Sequence, residues 1–354
     1  LGLADAIRPE AAETIARMKG AGIKIIMVTG DLPTTARAVA QAVGIFEHGD
    51  HIITGAELHT LSEKELRAVL PRASVFARMS SADKLRIIEL YEKLGNTVAM
   101  TGDSVHDAPA LVAAHLGIAM AKSGTPVAHQ AADVLLLNDN LEALVGAMDE
   151  GRAVYARMRT IIRGVFTTTV GEIGFIAAAL FLGLPVPLTA LQIIWLNMMT
   201  DGFLDVSYAL EPRDENSPTP KLSRSKFILR GADVISIVGS GALMAVGSLF
   251  MFAHHTELSL AERRSAALVV VALFQCVHAW ALRTERRSIF SVPLLRNPYL
   301  IGATCAVVVL QIGALYLPFM NMLLGTAPLH IHMWSEAFLV ACTLVIFEEA
   351  RKWV

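Results

Sequence analysis

Cysteine is scarce in this 354-residue chain: Cys276, Cys305 and Cys342 are all it has, and each lies inside an apolar stretch. That excludes a disulfide framework and gives no zinc-ligand spacing. Charge is also thin, at 18% of residues with a formal net charge of -2. No basic face is available to neutralise a phosphate backbone, so no nucleic-acid partner is expected. The chain opens on Leu1 without a charged n-region or a cleavage site, so no signal peptide is expected and the start reads as truncated. What is abundant is apolar surface, at 54% of residues and a mean hydropathy of +0.52. Nearly all of the excess falls after residue 160, which predicts two domains of different solvent class, divided at about 158/159.

In the first half, residues 1–158, apolar runs at Ile23–Val28, Ser74–Ala77, Thr97–Met100, Leu116–Ala119 and Asp133–Leu137 alternate with helix-like stretches at Arg8–Lys19, Thr34–Val43 and Ala82–Leu94. This rhythm predicts an α/β domain with a parallel sheet covered by helices on both faces. Chemistry in such sheets gathers beyond the carboxyl ends of the strands. Thr29, Gly30 and Asp31 follow one strand, and Thr101-Gly102-Asp103-Ser104-Val105-His106-Asp107 follows another; Lys84 opens the helix after a third. Asp103 and Asp107 are the expected ligands of Mg²⁺, a hard cation that takes carboxylate and phosphate oxygens. A threonine hydroxyl and a lysine ammonium complete the parts that phosphoryl transfer requires. Taken singly, each of these residues also fits a turn, a cap or a solvated helix start.

The second half, residues 159–354, contains six apolar stretches at approximately 161–183, 187–208, 232–253, 266–282, 298–319 and 333–349, each near the length a bilayer-crossing helix needs. This predicts an all-α membrane domain in a lipid bilayer. Arg157, Arg159 and Arg163, then Arg213, Lys221, Arg224, Lys226 and Arg230, then Arg283, Arg286, Arg287 and Arg296, then Arg351 and Lys352 fall on one side, which places both chain ends in the cytoplasm. The expected location is the plasma (inner) membrane. Glu172 interrupts the first stretch, and Asp201 and Asp205 interrupt the second at i and i+4. An intramembrane carboxylate is costly and marks a functional site by default. With Asn197 and Thr200 close to the same face, these oxygens describe a hard-cation site. His254-His255 and His330/His332 have no evident third ligand and read as loop residues.

The eleven residues Thr101–Leu111 resemble the hinge signature of P-type cation-transporting ATPases. Further matches occur in the family's order: Asp5-Ala6-Ile7-Arg8, Met27-Val28-Thr29-Gly30-Asp31, Phe76-Ala77-Arg78 with Lys84, Gly124-Thr125, Asn138-Asp139-Asn140, Glu150-Gly151-Arg152, Val170-Gly171-Glu172 and Leu196–Gly202. The last two resemble the calcium-pump branch. The resemblance implies a partial haloacid-dehalogenase-like, Rossmannoid phosphorylation domain followed by six transmembrane helices. It also implies Mg²⁺ and ATP, the latter bound mainly by a nucleotide domain outside this chain. The family's phosphorylated Asp-Lys-Thr-Gly motif is not in the sequence; the resemblance implies that an N-terminal half supplies it. Glu172, Asn197, Thr200 and Asp201 match the family's oxygen ligands, Thr169 replaces an asparagine, Gln275 a glutamate and Leu204 a proline, and Asp205 sits where sodium/potassium pumps carry an aspartate. Ser104 and His106 replace a glycine and an asparagine, and the serine adds a Cβ at a point of close approach. Two readings stay open: the C-terminal portion of an ATP-driven cation pump, inactive alone, or a non-hydrolysing cation-binding remnant or regulatory partner of a full pump. A phosphatase fused to a passive anchor is disfavoured, because an anchor needs no intramembrane carboxylates.

Overall fold

Short β-branched runs punctuated by capped helices build the first half. A computed structural model describes residues 7–211, 228–284 and 288–352. Two compact units divide between Gly151 and Arg152. In the first, helix α1 (Ala11–Gly20) leads to strand β1 (Met27–Val28), α2 (Pro33–Ala42), β2 (His51–Thr54), α3 (Gly55–Thr60) and α4 (Glu63–Val69). Then come β3 (Ala73–Ala77), α5 (Ser81–Lys93), β4 (Ala99–Gly102), α6 (Ala108–Ala113), β5 (Leu116–Met120), α7 (Pro126–Ala131) and β6 (Val134–Leu136). The starts of α3, α4 and α5 are fixed by capping boxes at Thr54/Glu57, Ser62/Glu65 and Ser80/Asp83, each satisfying helix N–H groups that have no intrahelical acceptor.

All strand pairings among the described residues are parallel, as the apolar runs predicted, but they form two three-stranded sheets, β1-β3-β2 and β4-β5-β6. β3 is buried along its whole length, and Gly117 to Ala119 of β5 are buried too. The edge strands β1 and β4 are only partly covered, although their sequences are as apolar as those of the central strands. Of the run Ile23–Val28 only the last two residues pair. β2, α3 and α4 were not foreseen, because His51-Ile52-Ile53-Thr54 is too short and too polar-flanked to stand out.

The second unit is helical. α8 (Glu142–Phe181) contains the division between the units and is followed by α9 (Ala190–Trp195), a π-helical stretch Leu196–Asp201 and α10 (Gly202–Ala209). α11 (Gly231–His254), α12 (Leu260–Leu282), α13 (Pro298–Tyr316), α14 (Pro318–Leu324) and α15 (Ile331–Lys352) complete it. Five described helices, α8, α11, α12, α13 and α15, are long and apolar enough to cross a membrane. One expected stretch is not among these five, although residues 190–209 are helical throughout. The second expected stretch, 187–208, is three consecutive helical pieces, because the helix changes its hydrogen-bonding step across Asn197, Thr200 and Asp201, where polar groups interrupt the apolar run. α8 also begins well before residue 161, and its 40 residues make it about 60 Å long. α12 is the most enclosed helix, packed by α11, α13 and α15 around Phe175, Phe252, Phe274 and Leu268.

Asp5 and Ala6, the basic residues Arg213, Lys221, Arg224 and Lys226, and Arg286 and Arg287 lie outside the described residues.

Candidate functional site

In the first unit Thr29 follows β1 and Asp103 follows β4. Thr29 extends the ladder of β1, donating its N–H to Phe76 O at 2.9 Å. Its hydroxyl donates to Asp31 Oδ2 at 2.9 Å and accepts from the Asp31 N–H at 3.1 Å, so the threonine and aspartate of this motif hold each other. The Met79 and Arg78 N–H groups donate to Thr29 O and Asp31 O, both at 3.0 Å. Arg78 takes a left-handed backbone conformation, with φ of 55°, which a non-glycine residue adopts at a cost of about 1 kcal/mol or more. Its role in bracing the Thr29 loop was not foreseen; the only sequence signal was its place in Phe76-Ala77-Arg78, at the end of a buried strand.

The two expected Mg²⁺ ligands are placed differently. Asp103 is exposed at the carboxyl end of β4. Asp107 is buried at 5% exposure, and both its oxygens are engaged. Oδ2 accepts from Ser104 Oγ at 2.7 Å and from the Ser104 and Asp103 N–H groups at 3.2 and 3.3 Å, while Oδ1 accepts from Lys84 Nζ at 2.5 Å. Burial pushes the Asp107 carboxyl up, but the hydrogen bonds from Lys84 and Ser104 outweigh it and hold the group below its ordinary range. Ser104 has an extended backbone, φ −109°, and its side chain closes a capping box with Asp107. The added Cβ therefore meets no strain, and the expected clash at a point of close approach belongs instead to Gly102, where a Cβ would lie 2.6 Å from Asp107 Cβ. His106 is exposed. Lys84 lies in the first turn of α5, near but not at its first residue.

In the second unit Glu172 of α8, 7% exposed, accepts at Oε1 from Gln275 Nε2 of α12 at 3.1 Å. Thr168, one turn before Glu172, donates its hydroxyl to Asp201 Oδ2 at 3.2 Å and to Val165 O at 3.0 Å. Asp201 also lies within electrostatic range of Glu172 and Asp205. Thr200 is buried, and its hydroxyl has no hydrogen-bond partner among the described residues. Glu172, Asp201 and Gln275, with Thr168, are thus brought together where α8, the π-helical stretch and α12 meet. Asn197 is not: it lies on the exposed side of the π-helical stretch, as Thr169 does on α8. Thr168 was not singled out in the sequence, and its i, i+4 spacing from Glu172 was the signal that could have found it. A cavity of about 10 Å³, room for roughly one water, is lined by Thr168, Glu172, Ser248 and Gln275 together with apolar groups. His255 bonds to Glu336 at 3.0 Å and faces Glu257 at 3.5 Å. No group of three or more His, Cys, Asp or Glu able to hold a metal occurs among the described residues.

Comparison with known proteins adds the following. Residues 1–115 match the family described as haloacid dehalogenase-like hydrolase, and residues 185–354 match the family described as "Cation transporting ATPase, C-terminus". The chain is 34% identical over 351 residues to the "Probable cation-transporting ATPase F" of Mycobacterium tuberculosis, covering 97% of this chain and 39% of that protein. It is 35% identical over 322 residues to the "Calcium-transporting ATPase" of Bacillus subtilis, covering 90% of this chain and 36% of the relative. Against "Calcium-transporting ATPase 1" of Yarrowia lipolytica the identity is 29% over 358 residues, covering 100% and 39%. The chain thus spans less than half the length of these relatives.

Proposed function

This chain belongs to the P-type cation-transporting ATPases, and from that premise we propose that it is the C-terminal portion of an ATP-driven cation pump for Ca²⁺ or a related cation. On this reading the first unit handles the phosphoryl group and the second holds the cargo. The observation that carries it is the meeting of Glu172, Thr168, Asp201 and Gln275 inside an apolar helical bundle. Carboxylates buried among lipid-type helices are expensive, and they are retained where a cation offsets their charge. Two carboxylates with hydroxyl and amide oxygens suit a hard cation of the size of Ca²⁺, which takes about six to eight oxygens. Asn197, on the exposed side, would complete the shell together with helices contributed by the rest of the pump. Two relatives named above as calcium-transporting support the choice of ion.

In the first unit the donor set fits Mg²⁺ held by the exposed Asp103, since this ion binds through one or two carboxylates and keeps several waters. Bound there, Mg²⁺ would offset charge on phosphoryl oxygens. Asp107 closes the loop and positions Lys84, whose ammonium stands at the strand ends to balance charge on the transferring group. Thr29, at the carboxyl end of β1, would offer its hydroxyl to a phosphoryl oxygen. The attacking carboxylate is assigned to the part of the pump outside this chain. β1 and β4, which carry the two motifs, are both edge strands and only partly covered. Ser104 strengthens its cap instead of straining it, which weighs against the non-hydrolysing alternative. The clustering of Arg and Lys on one side of the spans supports cytoplasmic chain ends in the plasma membrane.

The test is phosphoenzyme formation from ATP by the full-length protein, titrated separately with Ca²⁺, Mn²⁺, Na⁺ and K⁺. Glu172→Gln and Asp201→Asn should each abolish cation stimulation, Asp205→Asn should chiefly alter its pH dependence, and Asp103→Asn should abolish Mg²⁺-dependent phosphorylation. Unchanged cation dependence in both the Glu172 and Asp201 variants would overturn the cargo site. Stimulation by Na⁺ alone would overturn the calcium assignment.

A further inference from the structure

Within the second unit α13 meets the chain on either side of the π-helical stretch Leu196–Asp201. Before the stretch, Trp195 donates its indole N–H to Gln311 Oε1 at 3.2 Å. After it, Asn297 at the start of α13 donates its amide N–H to Ser207 O of α10 at 3.2 Å and to the Glu211 carboxylate. Between these two bonds Leu204 is buried with Leu300, Ala303 and Val307 of α13. Asn297 and Gln311 are two heptads apart, about four turns, so they stand on one side of the helix, in line with its buried residues.

Gln311 is 3% exposed in a helix that carries no acidic, basic or histidine residue. Its Nε2 has no hydrogen-bond partner among the described residues, so the bond from Trp195 is what offsets its burial. An apolar side chain of similar size would pack there more cheaply, and stability alone does not account for a glutamine at this place. The π-helical step supplies a reason. Such a stretch fits one extra residue into a helix. If it relaxed to the α-helical step, one flank would rotate by about 100° against the other. Trp195 and Ser207 could not both keep their partners on α13 through that rotation. Bonds from one helix to both flanks therefore keep the extra residue in place, and with it Asp201, the last of the stretch, whose Oδ2 accepts from Thr168 of α8 at 3.2 Å.

We propose that Asn297 and Gln311 are positioning residues for the cation site: together they splint both flanks of the π-helical stretch and so hold Asp201 against α8. The inference rests on the pump reading above and adds to it two residues that touch no cargo.

The experiment is phosphoenzyme formation from ATP by the full-length protein in membrane fragments, titrated with Ca²⁺. Gln311→Leu removes the acceptor, and Trp195→Phe removes the N–H while keeping a ring. Each should raise the Ca²⁺ concentration for half-maximal phosphorylation by about threefold to tenfold, the scale of one interhelical hydrogen bond in a membrane. The level at saturating Ca²⁺ should stay unchanged, which also shows that the variants fold. The double variant should shift no further than either single one, because both remove the same bond. Asn297→Ser, which keeps a capping oxygen for α13 and loses the amide, should shift half-saturation in the same direction. Thr304→Val breaks a like bond on the same helix, donated by Trp280 of α12 at 3.1 Å away from the π-helical stretch, and should leave half-saturation unchanged. Half-saturation unchanged in Gln311→Leu, Trp195→Phe and Asn297→Ser, whether or not the maximum falls, would overturn the splint. So would additive shifts in the double variant or an equal shift in Thr304→Val. A wild type that no cation stimulates would instead overturn the pump reading itself.

Discussion

Asp103 and Asp107 are alike in sequence and opposite in environment: one is exposed at a strand end, the other is enclosed by Ser104, two backbone N–H groups and Lys84. The enclosure depends on Gly102, since any Cβ there would press on Asp107 at 2.6 Å. Gly102→Ala should lower stability by about 1–3 kcal/mol, the usual cost of overpacking, read as the shift in thermal unfolding of the chain in detergent. The Asp107 link should also carry a pH dependence. Because its carboxyl is held below the ordinary value, its contribution is fully present above the unfolded-chain carboxylate range, about pH 4, and is lost as pH falls through the lower value of the folded state. Lys84→Met removes the largest opposing partner and leaves burial to push the carboxyl up, so acid unfolding should begin at higher pH. Unfolding midpoints of both proteins measured across the acid range check the sign. The residue pattern announced that these side chains matter; the division of labour between the two aspartates depended on which one the α5 lysine could reach.

Among the elements, α8 and α11 approach most closely through glycine. A Cβ on Gly241 would lie 2.7 Å from Val170 Cγ1 and 3.2 Å from the Gly171 nitrogen, and one on Gly171 would lie 3.0 Å from Met244 Cβ. Small residues at such a crossing let backbones pack without a hydrophobic driving force. This contact sits beside Glu172, so it also sets where the carboxylate faces α12. Gly241→Ala should therefore destabilise the helical unit by about 1–3 kcal/mol, with the thermal midpoint of the chain in detergent as the measure; an unchanged midpoint would mean that the helices can separate freely here. The helices α8, α11, α12, α13 and α15 were legible from apolar length alone. The π-helical stretch was not, because hydropathy counts polar residues without saying how the backbone turns around them. The edge strand β1 was overextended in the sequence reading for a related reason: the run Ile23–Val28 is apolar throughout, yet only its end finds a partner strand.

At the scale of the molecule, the two compact units are built differently, one on sheets and one on apolar helices. The sequence holds no Asp-Lys-Thr-Gly segment, and nucleophilic phosphoryl transfer needs an attacking group as well as its electrostatic support. Expressed by itself, the chain should form no acid-stable phosphoenzyme from radioactive ATP in the presence of Mg²⁺ and Ca²⁺; a labelled band at 38.1 kDa would show that it carries its own nucleophile. The sequence by itself determined the two-part organisation, the parallel strands and the apolar helices long enough to cross a membrane. It could do so because strand and apolar helix are set by local apolar runs. Only the tertiary structure decided that Thr168 rather than Thr169 bonds to Asp201, that Asn197 faces outward, that Asp107 is spent on Lys84, and that His278 has no hydrogen-bond partner among the described residues. Those outcomes depend on helix rotation and on long-range neighbours, and neither is written in the spacing of residues along one strand of chain.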